Sequence, residues 1–292
     1  MLFKGSGVAI VTPFTNTGDI DFEALGELIE FQIKEGIDAI ISIGTTGEAA
    51  TLSIDEKLEV INFTIDKVNR RVPIIVGTGS NNTKDAVSFS KEVSELDIDG
   101  LLVVSPFYNK GTDTGLIEHF TEIANVSKVP VMLYSVPGRT GHNIPLNVVV
   151  ELSKHKNICG IKDASGDLSY TMNIRNNTPD EFQIISGNDD LTVPMLAVGA
   201  EGVISVVANV FPKETSEMVH SFLNGDSKKS KELQLKLLPF IEAAFSEVSP
   251  VPIKYATHLL GFGTPELRLP LTVAEENVQQ SIHQTLKSLN RL

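Results

Sequence analysis

Short runs rich in valine and isoleucine recur along the chain, separated by longer segments whose apolar residues return every three or four positions. The runs are Gly7 to Pro13, Ala39 to Gly44, Pro73 to Gly77, Gly100 to Ser105, Pro130 to Ser135, Ile158 to Asp163, Gln183 to Gly187 and Gly202 to Val207. Near-continuous apolar runs joined by amphipathic helices are the pattern of parallel strands buried on both faces. The helices carry readable ends. Phe22, Leu25, Ile29 and Ile33 share a face after Asp21 as an N-cap, with Gly36 as terminator, and Ser53 with Glu56 forms a capping-box pattern before Leu58, Ile61, Ile65 and Val68. Eight such units predict an α/β chain folded as a (β/α)8 TIM barrel over residues 1–225. An open doubly wound sheet is the alternative. Residues 226–292, with proline-rich joints at Ser249-Pro250-Val251-Pro252 and Leu269-Pro270, predict two or three helices packed on the barrel.

Composition narrows the function. A chain of 292 residues with 41% hydrophobic content can bury a large core, and a formal net charge of −13 disfavours nucleic acid as a partner. The opening MLFKGSGVAIVTPF does not read as a signal peptide, and no apolar stretch is long enough to span a membrane. Cys159, the sole cysteine, excludes an internal disulfide and fits a reducing cytoplasm; it reads as a small core residue. The six histidines show no paired ligand spacing, and phosphate-loop and nucleophile-elbow signatures are missing, so neither a metal nor a nucleotide cofactor is expected.

In a (β/α)8 barrel the chemistry sits just past the C-terminal ends of the strands. After the second run, Gly44-Thr45-Thr46-Gly47-Glu48 offers hydroxyls and backbone N–H groups to a carboxylate where a helix is expected to start, or simply makes a tight turn. The fifth run ends in Tyr134, Ser135, Val136, Pro137, Gly138, Arg139, Thr140 and Gly141. Tyr134 is either a proton carrier or a core aromatic, and Arg139 either a carboxylate clamp or a surface charge. The sixth run supplies the sharpest signal, Ile158-Cys159-Gly160-Ile161-Lys162-Asp163. Strand alternation puts Ile158, Gly160 and Lys162 on one face, with Lys162 at the top of the lumen. Burial there favours the neutral amine that attack on a carbonyl needs, although a strand-end lysine can also snorkel to solvent.

Taken together, these sites resemble the family of pyruvate-dependent class I aldolases and lyases that includes dihydrodipicolinate synthase and N-acetylneuraminate lyase. The likeness runs along nearly the whole chain. It includes Gly7 to Phe14, Ser105-Pro106-Phe107-Tyr108-Asn109-Lys110, Ser186-Gly187-Asn188-Asp189-Asp190, Gly202 to Val206 and Leu267-Arg268-Leu269-Pro270. Tyr134 with Val136 to Gly141 looks like the synthase version of the motif, Arg139 being its specific element, while Ser135 stands where an asparagine is usual. The resemblance implies a lyase that needs no cofactor and works through a covalent imine. Lys162 condenses with pyruvate, whose carboxylate is held by Thr46, with Gly187 and Ile204 shaping the pocket wall. The enamine attacks aspartate semialdehyde, held by Arg139, to give 4-hydroxy-tetrahydrodipicolinate, the first committed step of lysine biosynthesis through diaminopimelate. Tyr134, Thr45 and Tyr108 match a proton relay in which Tyr108 comes from a neighbouring subunit, so a homodimer or homotetramer is implied. A sugar-acid aldolase of the same chemistry, or a barrel kept only for ligand binding, are the rival readings.

Family members inhibited by lysine bind it at a subunit interface through two histidines, a tyrosine, an asparagine and an acid. Asn81 and Asp85 match the last two, but Ile54 and Lys57 stand at the histidine positions and Phe107 at the tyrosine position. The resemblance therefore implies an enzyme insensitive to lysine.

Overall fold

The computed structural model describes residues 2–292. Eight parallel strands close into a barrel in sequence order, with the last pairing back to the first. They are β1 (Gly5–Ala9), β2 (Ala39–Ser42), β3 (Ile74–Gly77), β4 (Gly100–Val104), β5 (Val131–Ser135), β6 (Ile158–Asp163), β7 (Gln183–Ser186) and β8 (Gly202–Ser205). The TIM barrel expected from the pattern is the fold, and the open sheet is excluded by the β1–β8 pairing.

β1 lies earlier than the apolar run from Gly7 to Pro13, because the seam of the barrel needs backbone approach more than side chains. A Cβ on Gly202 would stand 2.1 Å from the Gly5 carbonyl oxygen, and Gly5 itself has φ +127°. Ile10 to Pro13 then leave the sheet, and Thr12 Oγ1 donates to the Gly47 carbonyl at 2.8 Å, tying this segment to the turn after β2.

Alternation along the strands separates two apolar layers. Val8, Ile40, Leu101 and Ile161 face the surrounding helices, while Ala9, Ile41, Leu102, Met132, Ile185 and Ile204 fill the lumen. β6 departs from strict alternation. Val131 pairs with Ile158 and Met132 with Gly160, so the register slips by one residue at Cys159. Ile158 consequently packs in the outer layer, not on the face of Lys162 as expected. Gly160 and Lys162 keep the lumen side, opposite Met132 and Tyr134. Cys159 sits at the bulge beside the lumen, its Sγ 3.4 Å from the Val131 carbonyl, and burial pushes its thiol up to about 12.

The helix signals hold where they are local. Asp21 accepts the Ala24 N–H at 2.9 Å, and Ser53 and Glu56 cap each other reciprocally at the start of helix Ile54–Val68. Past the barrel, helices Ser227–Ala244, Val251–Leu259 and Glu276–Ser288 follow. The first packs on helix Pro212–Leu223, with Phe240 edge-on to Phe211 at 4.9 Å. The irregular segment linking the last two returns to the barrel mouth, where the Arg268 guanidinium meets both oxygens of Glu56 at 2.5 and 2.9 Å and holds that carboxyl down at about 2. Among the described residues no helix is long and apolar enough to cross a membrane.

Candidate active site

β5 and β6 build the centre. Their register sets Tyr134 beside Lys162, and the lysine Nζ lies 4.4 Å from the centroid of the tyrosine ring. Lys162 is 5% exposed and Tyr134 7%, so neither side chain reaches bulk water by snorkelling. Gly187, just past β7, gives the lysine its room. A Cβ there would stand 2.9 Å from Lys162 Cε and 2.7 Å from the Ala164 Cβ. Ile204 closes the lumen from β8.

β2 delivers the threonines. The chain turns sharply at Ile43, buried with φ +44°, and the turn closes through Gly47 N–H to Gly44 O at 3.1 Å and Glu48 N–H to Thr45 O at 3.2 Å. The amides of Thr45 and Thr46 take no part in those bonds. No α-helix starts at this turn, contrary to expectation: a short 3-10 turn, Ala49–Thr51, intervenes and the helix begins at Ile54. The reason is Glu48, whose left-handed backbone (φ +55°) breaks the helical path. Any carboxylate held here is therefore met by a turn and its hydroxyls, not by a helix dipole.

A cleft of about 790 Å³ opens over the barrel mouth, and its wall includes Thr45, Tyr134 and Arg139. Tyr134 is the shared element, since its ring borders the cleft and also meets Lys162. Thr46, Lys162, Gly187 and Ile204 do not line the cleft itself. Arg139 stands on the single-turn helix Pro137–Thr140, and its Nη2 donates to the Ser249 carbonyl at 2.7 Å, so the segment before helix Val251–Leu259 fixes one edge of the guanidinium. Ser135 accepts the Ile144 N–H at 3.2 Å and meets Asn143 Oδ1 at 3.4 Å, stitching β5 to the segment that follows Arg139.

One expected residue stands apart. Tyr108 is 92% exposed, has φ +66°, and does not border the cleft of its own chain.

Two groups near the centre were not singled out from sequence. Asp189 is buried between the ends of β7 and β8, accepting from Ser205 Oγ and from Val206 N–H at 3.0 Å. Burial raises its carboxyl, opposed by those hydrogen bonds and by the Lys162 charge. The other group is Glu48, paired with Lys254 at 2.5 Å. Asp189 carried a weak signal, an acid just past a strand. Nothing local marks Glu48 and Lys254 as partners 206 positions apart. Among the described residues no group of three or more histidine, cysteine, aspartate or glutamate side chains is gathered as for a metal ion.

A closed barrel that holds an enclosed lysine beside a tyrosine at the C-terminal end of a strand, beneath a mouth cleft, has its polar groups gathered where (β/α)8 enzymes keep their chemistry. The model of the dihydrodipicolinate synthetase family matches residues 2–289, and the chain belongs to that family. A 4-hydroxy-tetrahydrodipicolinate synthase of Caldicellulosiruptor saccharolyticus is 52% identical over 285 residues, 98% of this chain and 96% of the relative. The crystal structure of dihydrodipicolinate synthase from Thermotoga maritima superposes with a TM-score of 0.98 at 38% identity, covering 100% of both chains. A dihydrodipicolinate synthase variant described as monomeric matches with a TM-score of 0.98 at 39% identity, covering 100% of this chain and 98% of that one.

Proposed function

We propose that this chain condenses pyruvate with aspartate semialdehyde to 4-hydroxy-tetrahydrodipicolinate through an imine on Lys162. The observation that carries the reading is Lys162 enclosed at the end of β6, with Nζ against the Tyr134 ring and room made by Gly187. The amine attacks the ketone of pyruvate, and loss of water gives the imine, so the reaction uses no separate cofactor. The protonated imine then accepts the electron pair of a methyl C–H bond as that proton leaves, and the resulting enamine attacks the aldehyde, whose oxygen takes up a proton. The amino group of the second substrate displaces Lys162 from the imine as the ring closes, freeing the lysine. Thr46 and the free amides of the β2 turn hold the pyruvate carboxylate, and Gly187 and Ile204 shape the pocket around it. Arg139 holds the carboxylate of aspartate semialdehyde at the cleft wall.

Tyr134 and Thr45 move protons between the imine and the cleft, with Tyr108 of a second copy completing the relay. The exposure of Tyr108 on its own chain fits that role, which makes a homodimer the smallest complete unit and a homotetramer compatible with it. Residues 1–225 then supply the chemistry, and residues 226–292 form a helical appendage that borders the cleft at Ser249, Pro250, Pro270 and Leu271. The enzyme works in the cytoplasm without a nucleic-acid or membrane partner. Turnover of aspartate semialdehyde with pyruvate, set against cleavage of N-acetylneuraminate and keto-deoxy sugar acids, tests the reading. Preference for a sugar acid overturns it.

The same cleft extends to Ile54, Lys57, Asp85 and Phe107. Lys57 is half-buried, which lowers its pKa, and Asp85 already accepts from Asn82 Nδ2 at 2.8 Å. A lysine effector would meet an amine instead of imidazoles and a phenyl ring instead of a phenol, leaving its ammonium groups poorly matched. The expected result of titrating lysine into the assay is unchanged turnover into the low-millimolar range; clear inhibition there would show that these substitutions leave an effector site working.

A further inference from the structure

The turn that carries Thr45 and Thr46 is anchored by charges from the far end of the chain. Lys254, on helix Val251–Leu259, places its Nζ 2.5 Å from Glu48 Oε1, and both side chains are 1% exposed. The same Nζ lies 3.7 Å from the centroid of the Phe14 ring, and the Arg268 guanidinium is 4.7 Å from that centroid. The second oxygen, Glu48 Oε2, accepts the Arg268 backbone N–H at 3.3 Å. Burial lowers Lys254 to about 8 against the opposing pull of Glu48. Lys254 is thus a second enclosed lysine beside the mouth, but its amine is occupied by a carboxylate and an aromatic face, which leaves it no approach to a carbonyl.

A buried ion pair is a poor investment for stability alone, since apolar groups of similar volume often stabilise as well or better. What it provides here is geometry. Glu48 holds a left-handed backbone, and such a conformation in a residue other than glycine persists where surrounding contacts over-determine it. Its N–H closes the turn on Thr45 O, and its carbonyl accepts Thr51 N–H at 3.0 Å and Thr51 Oγ1 at 3.1 Å. Displacing the Glu48 carboxylate therefore moves the atoms that set Thr45 and Thr46.

We propose that Glu48 and Lys254 are positioning residues for the first substrate: the buried pair clamps the β2 turn from the C-terminal helices and so holds the threonines in register with Lys162. This rests on the assignment of Thr45 and Thr46 to the pyruvate side of the reaction. Arg139 stands on the short helix after β5, and its contact with the Ser249 carbonyl uses no atom of the Glu48 or Lys254 side chains, so the second substrate's site is expected to be spared.

The test uses the full-length enzyme with Glu48→Gln, Lys254→Met and the double variant. Three quantities are read: the pyruvate concentration for half-maximal borohydride trapping at Lys162, the KM for aspartate semialdehyde, and the melting temperature. Each single variant is expected to raise the trapping midpoint at least tenfold while the aspartate semialdehyde KM stays within twofold. The double variant, which leaves no unpaired buried charge, is expected to melt close to the wild type and still show the raised midpoint. Its measurement decides the matter even if a single variant does not fold. A wild-type midpoint in a folded double variant, or equal rises for both substrates, overturns the clamp. Thr46→Val separates the two layers of the argument. A midpoint unmoved by Thr46→Val removes the threonine assignment itself, whereas a midpoint raised there but normal in the double variant removes only the clamp.

Discussion

Borohydride reduction in the presence of pyruvate should attach the three-carbon unit to the peptide carrying Lys162, and Lys162→Ala should abolish the labelling and turnover together. The expectation follows from a comparison of the two enclosed lysines. Lys162 and Lys254 are 5% and 1% exposed, yet only Lys162 is without a carboxylate partner at hydrogen-bond distance. Its Cε sits where Gly187 leaves space, and its Nζ faces an aromatic ring beside the cleft. Alanine at this position should fold, because the strand pairs through its backbone with β5 and β7 and the preceding lumen-facing position, Gly160, is already small. A melting temperature near that of the wild type, with no label in the peptide map, is the expected pair of results. Label appearing on Lys254 or on Lys110 would place the imine elsewhere and overturn the mechanism.

Arg139→Ala should affect the second substrate and spare the first. A charge-assisted contact to a carboxylate contributes about 1.5–3 kcal/mol. Its loss should lower kcat/KM for aspartate semialdehyde by roughly 10- to 150-fold. Imine trapping with pyruvate should stay nearly normal, since Lys162 and the β2 turn are untouched. Lysine in place of Arg139 should recover only part of the loss, because an ammonium cannot grip a carboxylate with two parallel donors while also reaching the Ser249 carbonyl. An equal loss of pyruvate affinity would mean that the two carboxylates are not divided between Arg139 and Thr46.

Much of the fold was legible because barrel strands announce themselves locally. β6 was read to the residue and six other strands to within two residues at each end, since a strand buried on both faces must be apolar along its length, whereas β1 ends four residues earlier than its apolar run. Lys162 could be placed on the lumen side from alternation counted back from the strand's end. The Asp21 cap and the Ser53–Glu56 box depend on residues three apart and appear as read.

Long-range geometry decided the rest. Nothing in Ile158-Cys159-Gly160 reveals that β5 will force a slipped register at Cys159, because a bulge is a property of the pair of strands and not of one. The β2 turn looked like the start of a helix, and only the left-handed backbone of Glu48 shows why the helix waits until Ile54. The Glu48 carboxylate is in turn met by Lys254 and by the Arg268 backbone N–H, whose approach depends on how helix Val251–Leu259 and the segment after it return to the barrel. By itself the sequence determined where the strands lie, the capped helix starts and the face on which Lys162 emerges, since each depends on neighbours within a few residues. The tertiary structure alone decided which buried charges meet, because pairing across more than 200 positions follows from barrel closure and leaves no local pattern.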